Sequence, residues 1–442
     1  MASPAQQLKR ILRRRDLVLY GLVILTPTAP FPVFGVIQQS SGGHITLSYF
    51  LAMVAMLFTA ISYGRMAAEF PSAGSTYAYA RESFGDKIGF LAGWAMILDY
   101  FLIPLLSVIY IGLTLARIWP SVPYSLWVLL FTFGITATNL RGVRMTARAN
   151  FILITLMFIC CVWFVAAGIL FLLSRPEPIL GERLSFSASS VPALLQGAGL
   201  ATLSYIGFDA ISTLSEESLN PKRDVPAATI LTCILQGFIC IATVFIASRV
   251  WPDFHAFAQV ETAILDIANR SGGVNLFNAV SAVLVVAGVA SSLTGQAGAA
   301  RLLYAMGREG VLSKKVFGQV DEKVSAPSGG LYVMSALTLA GAFVIDFSLS
   351  VELVNFGAFV GFILVNLCVI QQFFFRQRRR RGFAFVTNVV IPLLGASICV
   401  LVWLSLTVKA KLVGFAWLGI GATYFFLLMR GKSTLHSLEM HS

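Results

Sequence analysis

Charge is what this 442-residue chain has least of. Asp, Glu, Lys and Arg together make up 12% of it, while hydrophobic residues make up 57%. A soluble globular domain carries about 25% charged residues, so this chain cannot cover a water-exposed surface of its size and reads as a polytopic membrane protein. Cysteine is also sparse. All six (Cys160, Cys161, Cys233, Cys240, Cys368, Cys399) lie inside apolar runs and none forms a CxxC pair, which argues against a disulfide framework or a zinc site. They read as small apolar helix residues. The chain has no Walker loop, nucleophile triad or metal box, so it is read as neither an enzyme nor a carrier of a cofactor.

What is present is a succession of apolar runs. A span needs about 20 mostly apolar residues, and twelve are placed near 18–38, 47–68, 88–115, 125–139, 149–173, 191–214, 227–250, 273–297, 329–346, 351–373, 387–406 and 412–429. The fourth and ninth are the shortest. With both termini on one side, that side holds 25 of the 32 Lys and Arg residues and the other holds 7. The positive-inside rule then makes both termini cytoplasmic. The net charge of +12 needs no nucleic-acid partner, because these loops face an anionic leaflet. The run Arg378 to Arg381 reads as a stop-transfer flank. The basic N-terminus leads into a long span without a small-residue cleavage site, as an uncleaved anchor does. Val260 to Asn269 has helical patterning and is expected to form a short surface helix over the outer mouth.

Two spans are interrupted. Span 1 carries Leu25-Thr26-Pro27-Thr28-Ala29-Pro30, and span 6 carries Gly207 and Asp209 after its apolar run from Val191 to Ile206. Pro27 and Pro30 supply no amide hydrogen and clash with the carbonyl one turn earlier. Carbonyls near Val23 to Thr26 are therefore expected to be free for a substrate ammonium, and the half-helix after Pro30 offers amides to an anion. A packing kink is the alternative. A carboxylate in hydrocarbon costs roughly 2.5–3.5 kcal/mol on insertion scales and is tolerated mainly where it faces a cavity or partner. Breaks five spans apart are the cue for inverted repeats, 1–5 and 6–10, with a site between them.

Three stretches carry a family resemblance. EESLNPKRDVPAATI after span 6, PSAGSTYAYARESFGDKIGFLAGW from Pro71 to Trp94, and ARLLYAMGREGVLSKKVFGQV from Ala300 to Val320 resemble signatures of the amino acid–polyamine–organocation (APC) family. The likeness runs from about residue 15 to 430. SYGRMAAEFPSAGSTYAYA, GWAMILDYF, GFDAISTLSEES and LVNFGAFVGFILVNL look most like its bacterial putrescine importers. The resemblance implies an all-α integral membrane protein of about 12 transmembrane helices, a LeuT-type 5+5 inverted repeat with helices 1 and 6 broken. It gives a cytoplasmic segment at 1–17, a transport core at 18–373, peripheral spans at 374–429 and a cytoplasmic tail at 430–442. Two features depart from the pattern. Thr26-Pro27-Thr28 stands where many amino-acid members have a Gly-Ser/Ala-Gly turn, and Pro32 where the putrescine branch has an aspartate, which removes one anionic partner for a diamine. No Lys or Arg lies between Asn150 and Leu173, where some proton-coupled relatives carry a lysine, so an acid such as Asp209 or Asp99 would carry the proton.

The implied function is a secondary transporter of the cytoplasmic (inner) membrane. It would import an amino acid or a small amine such as putrescine by alternating access, coupled to protons or to sodium. An exchanger and a non-transporting amine sensor are the alternatives; a sensor would be expected to carry a soluble output domain. Thr26, Pro27, Thr28, Asp99, Tyr100, Ser204, Tyr205, Gly207, Asp209 and Asn355 are the candidate substrate residues. Asp209 is read as an ammonium- or proton-binding acid, or as a helix-end carboxylate paired with a basic loop residue. Asp99 is a contact or a buried acid bonded to hydroxyls, and Tyr100 and Trp94 are pathway aromatics or packing. Asn355 faces the cavity or bonds a neighbouring helix. Asp209, Ser291 and Ser292 are the coupling-ion candidates, although small residues such as Ser291 and Ser292 also serve close helix packing. Glu216, Glu217 and Arg223, beside Lys222 and Asp224, form either a solvated loop or a gate network pairing with Arg65, Arg144 or Arg148.

Overall fold

In hydrocarbon every backbone polar group must be satisfied within the chain, and the computed structural model is helical accordingly. It describes residues 10–71, 75–141, 147–175, 190–215, 217–308, 313–317 and 328–439. Among the described residues the only extended pairing is an isolated parallel bridge between Leu12 and Ser218. Among the described residues nine helices are long and apolar enough to cross a membrane, and the pair Arg14–Leu25 and Pro30–Ser40, bent by 58°, adds one more where it is taken as a single broken span. The helices Tyr124–Leu140 and Ser328–Val344, 17 residues each, fall where the fourth and ninth spans were expected. At 1.5 Å per residue each covers about 25 Å, a little less than the ~30 Å hydrocarbon core.

Three departures from the expected elements have local causes. The connection after the second span contains a helix, Ser75–Phe84, ended by Gly85 at φ +92°. The expected surface helix near 260–269 is the start of a longer element, Ala263–Arg308, which turns at Gly273 with φ 67° and ψ −168°. The tenth span ends in a π-helical stretch, Ile370–Arg376, wound more widely than an α-helix.

Chain contacts divide the molecule into two compact units. The first gathers Met1–Gly85, Ala147–Leu284 and Phe359–Leu406. Within it the Ile45–Glu69 helix is stapled to the tenth span: Ser62 Oγ donates to Asn366 Oδ1 at 2.6 Å, and Asn366 Nδ2 donates to Thr59 Oγ1 at 3.1 Å. Such bonds tie helices that hydrophobicity alone does not hold together in lipid. The Arg65 guanidinium donates to Asn388 Oδ1 and lies 4.6 Å over the Phe373 ring, so it is engaged there and not with the acids after span 6. Arg144 and the side chain of Arg148, the other two expected gate partners, lie outside the described residues.

The second unit gathers Asp86–Thr146, Val285–Ala358 and Thr407–Ser442. Asn139, Gln296 and Thr136 form a buried chain of hydrogen bonds at 2.8 and 2.9 Å. Glu352, almost fully buried, accepts from the Thr407 amide at 3.2 Å and from its hydroxyl. Trp94 and Trp417 stack 4.8 Å apart, and each indole N–H donates to the other residue's backbone carbonyl at 2.9 Å. Trp94 is therefore a packing residue.

Candidate functional site: two adjoining helix breaks

The first break follows from its prolines. The Arg14–Leu25 helix stops at Thr26, whose φ of 52° and ψ of 122° are strained for a β-branched residue. Thr26 N still donates to Leu22 O at 3.1 Å, and the next helix opens with Pro30 after Ala29 N donates to Thr26 O at 3.0 Å. Thr28 is buried within the break. The second break is longer. Val191–Ala201 passes into a 3-10 turn, Thr202–Tyr205, then extended backbone at Ile206, and resumes as a single turn, Ala210–Thr213. Gly207 adopts φ +120°, which only glycine does readily. A Cβ at Gly207 would lie 2.4 Å from Ile24 Cγ2, so the two breaks touch.

A side chain from a third helix ties them together. Gln236, fully buried on the Pro221–Val250 helix, donates from Nε2 to Leu25 O (3.4 Å), Thr26 O (3.0 Å) and Ser204 O (3.2 Å). Two of the carbonyls expected to be free for a substrate are thus engaged by the protein's own amide. Tyr49 adds a second tie, its hydroxyl 3.0 Å from Ser204 Oγ, while Tyr205 Oη donates to Tyr49 O at 3.2 Å. Phe208 anchors the break in a buried aromatic cluster, stacked 5.3 Å from Phe362 and edge-on to Tyr63 at 5.4 Å.

Asp209 is partly buried at the end of the second break. Its carboxylate lies by the backbone amides of Gly207, Asp209 and Ala210 and makes no capping bond into the turn that follows. No ion pair joins it to a basic residue among the described residues. Thr26, Pro27, Thr28, Ser204, Tyr205, Gly207 and Asp209 are therefore gathered within the first unit.

Asp99, Tyr100, Ser291, Ser292 and Asn355 belong to the second unit. Asp99 lies on the Asp86–Ile118 helix, and its side chain is outside the described residues. On the same helix Tyr100 is 49% exposed and lies against Gly298, where a Cβ would sit 3.2 Å from its ring. Ser292 Oγ donates to Pro104 O at 3.4 Å, a helix-packing contact, and Ser291 is partly buried. Asn355 is fully buried, and neither of its amide atoms has a hydrogen-bond partner among the described residues.

At the other end of the second broken helix, the N-terminal segment is laid against the connection to the next helix. Ile11 N and Leu12 N donate to Glu217 O at 2.9 and 3.0 Å, and Leu219 N donates to Leu12 O at 2.9 Å. Arg14 pairs with Asp224 at 3.2 Å. Glu217 thus contributes its carbonyl, and neither its carboxylate nor Arg223 is in an ion pair among the described residues. Glu216 lies outside them. Arg10, Arg14, Lys222 and Arg223, with Asp224, line a cavity of about 520 Å³ here.

Broken helices that meet at their breaks are what a solute-binding membrane protein uses to free backbone groups. The amino acid permease family model matches residues 25–430. The chain belongs to the amino acid permease family. Among its relatives, the low-affinity putrescine importer PlaP of Escherichia coli is 31% identical over 95% of this chain and 93% of its own length. The branched-chain amino acid permease BcaP of Bacillus subtilis is 25% identical over 98% and 96%. The methylthioribose transporter of the same organism is 24% identical over the same shares. The permease is thus a multi-pass membrane protein of a transporter family, as its three motifs implied. Sequence reasoning missed Gln236, Tyr49 and the Arg14–Asp224 pair. Gln236 had a legible signal: a lone amide in the apolar run ILTCILQGFICIATV.

Proposed function

We propose that the permease is a secondary transporter importing a small primary amine or amino acid across the cytoplasmic membrane, with both termini cytoplasmic and protons as the coupling ion. One observation carries this reading: two helix breaks in contact, with the Asp209 carboxylate beside them and no cation paired to it among the described residues. Backbone carbonyls and a carboxylate make an electronegative setting, which suits an ammonium and opposes a dicarboxylate. The activities of the relatives agree with it, since one is a putrescine importer and another a branched-chain amino acid permease. The basic loops set the orientation. The N-terminal strap and the Arg14–Asp224 pair then lie at the cytoplasmic end, where they close the inner path and separate when it opens. Arg14 keeps 42% of its side-chain surface exposed and Asp224 13%, so water reaches one side of a contact that is broken in every cycle.

The test is uptake into proteoliposomes of purified protein, with a panel of putrescine, leucine, succinate and glucose as competitors under an imposed pH gradient without sodium. Competition by the two ammonium compounds and stimulation by inward proton flow are expected. Competition by succinate or glucose alone would reject the amine class, and strict sodium dependence would reject proton coupling.

A further inference from the structure

Gln236 is held in an arrangement that its own chemistry does not favour. A primary amide offers two N–H donors and one carbonyl acceptor. Here Nε2 faces the carbonyls of Leu25, Thr26 and Ser204 at 3.0–3.4 Å, with Cys240 Sγ at 3.4 Å as a fourth neighbour. Two hydrogens serve more acceptors than they can satisfy. Oε1 of the same amide is buried without a partner among the described residues, which is costly for a buried acceptor. The orientation is nonetheless set by the surroundings, because turning the amide over would point its oxygen at three carbonyl oxygens. Three converging carbonyls match the three N–H bonds of a primary ammonium better than the two of an amide.

We infer that Gln236 is a positioning residue that acts as an internal stand-in for the substrate's ammonium, latching the two helix breaks together until a primary amine displaces its Nε2 from the carbonyls of Leu25, Thr26 and Ser204. The inference rests on the amine reading above. Displacement couples substrate arrival to release of the Pro221–Val250 helix from both breaks. A tertiary or quaternary amine, short of N–H bonds, cannot make the exchange. An internal competitor weakens apparent affinity by the fraction of protein it occupies, and its removal tightens binding. A more tightly held substrate also leaves more slowly.

The experiment measures binding of radiolabelled putrescine and leucine to purified parent, Gln236→Leu and Gln236→Asn proteins, with counterflow in proteoliposomes. Gln236→Leu removes the donors at similar size. It is expected to bind the better of the two probes about 2–10-fold more tightly, the range that one net hydrogen bond supplies, while counterflow slows several-fold. Gln236→Asn keeps the amide on a shorter arm and is expected to shift both quantities the same way, by less. A purely structural residue would lower melting temperature and binding together, without this opposite movement of affinity and turnover. Folded Gln236→Leu with unchanged or weaker affinity overturns the latch and leaves the amine reading standing. If Gln236→Leu does not fold, Gln236→Asn decides by the same criterion. Failure of both to fold overturns the inference, since Gln236 is then a strut. If neither probe binds the parent, the amine reading fails and the latch fails with it.

Discussion

The two helix breaks reach the same end by opposite means. In the first, Pro27 and Pro30 remove amide hydrogens, so the helix stops for want of donors, and Thr26 takes the strain at φ 52°. In the second, no proline intervenes. Gly207 at φ +120° turns the chain without strain, and its missing side chain makes room for Ile24 of the first break. One break is imposed by covalent structure; the other is permitted by the absence of a side chain. A break of the first kind survives most single substitutions, because Pro27 and Pro30 support each other. A break of the second kind depends on one residue.

That contrast can be tested in descending order of effect. Asp209→Asn, at the end of the glycine break, is expected to reduce uptake roughly 10- to 100-fold, the scale of a lost charge-assisted bond. Unchanged monodispersity would show that it still folds, and normal saturable uptake would reject its role. Gly207→Ala comes next. Its Cβ must displace Ile24 and hold a disfavoured φ, costing about 1–3 kcal/mol for the backbone alone, so melting temperature and uptake should fall together. Adding Ile24→Ala should recover part of the stability by removing the clash. Pro27→Ala should be milder, changing uptake a few-fold, since Pro30 still starts the second half-helix; a loss as deep as that of Gly207→Ala would erase the distinction between the breaks. The smallest effect is expected at the strap. Asp224→Asn removes the partner of Arg14 and should raise thiol accessibility of cysteines introduced along the inner path, leaving affinity within about two-fold. Glu217→Gln should do less, because the strap bonds to the Glu217 carbonyl. Equal effects of the two would show that the Glu217 carboxylate takes part.

Much of this was readable in the sequence because bilayer physics is coarse. Long apolar runs, prolines at Pro27 and Pro30 and the Gly207–Asp209 pair announce spans and breaks without any knowledge of packing. The places of the two 17-residue helices were readable for the same reason. The Ser75–Phe84 helix was not, since its amphipathic pattern resembles a polar connection, and neither was the π-helical turn at Ile370–Arg376, which no local pattern signals. At the breaks, the residues that interrupt the two helices were legible and the residue joining them was not. Gln236 matters through three carbonyls from two other segments, and long-range partners leave no mark on local spacing. The strap was missed similarly. Charge pointed to Glu217 and Arg223, whereas the pair that forms, Arg14 with Asp224, is 210 residues apart in the chain.

The reciprocal indole clasp between Trp94 and Trp417 has an optical consequence. Two of the seven tryptophans are stacked at 4.8 Å with their planes 19° apart, close enough for their excited states to couple. Their joint near-ultraviolet dichroism is then a built-in gauge of whether the last helix is seated on the Asp86–Ile118 helix. Trp417→Phe should abolish that band while leaving most of the emission. A chromophore pair in the second unit thus allows assembly of that unit to be followed without any label, in detergent or in lipid.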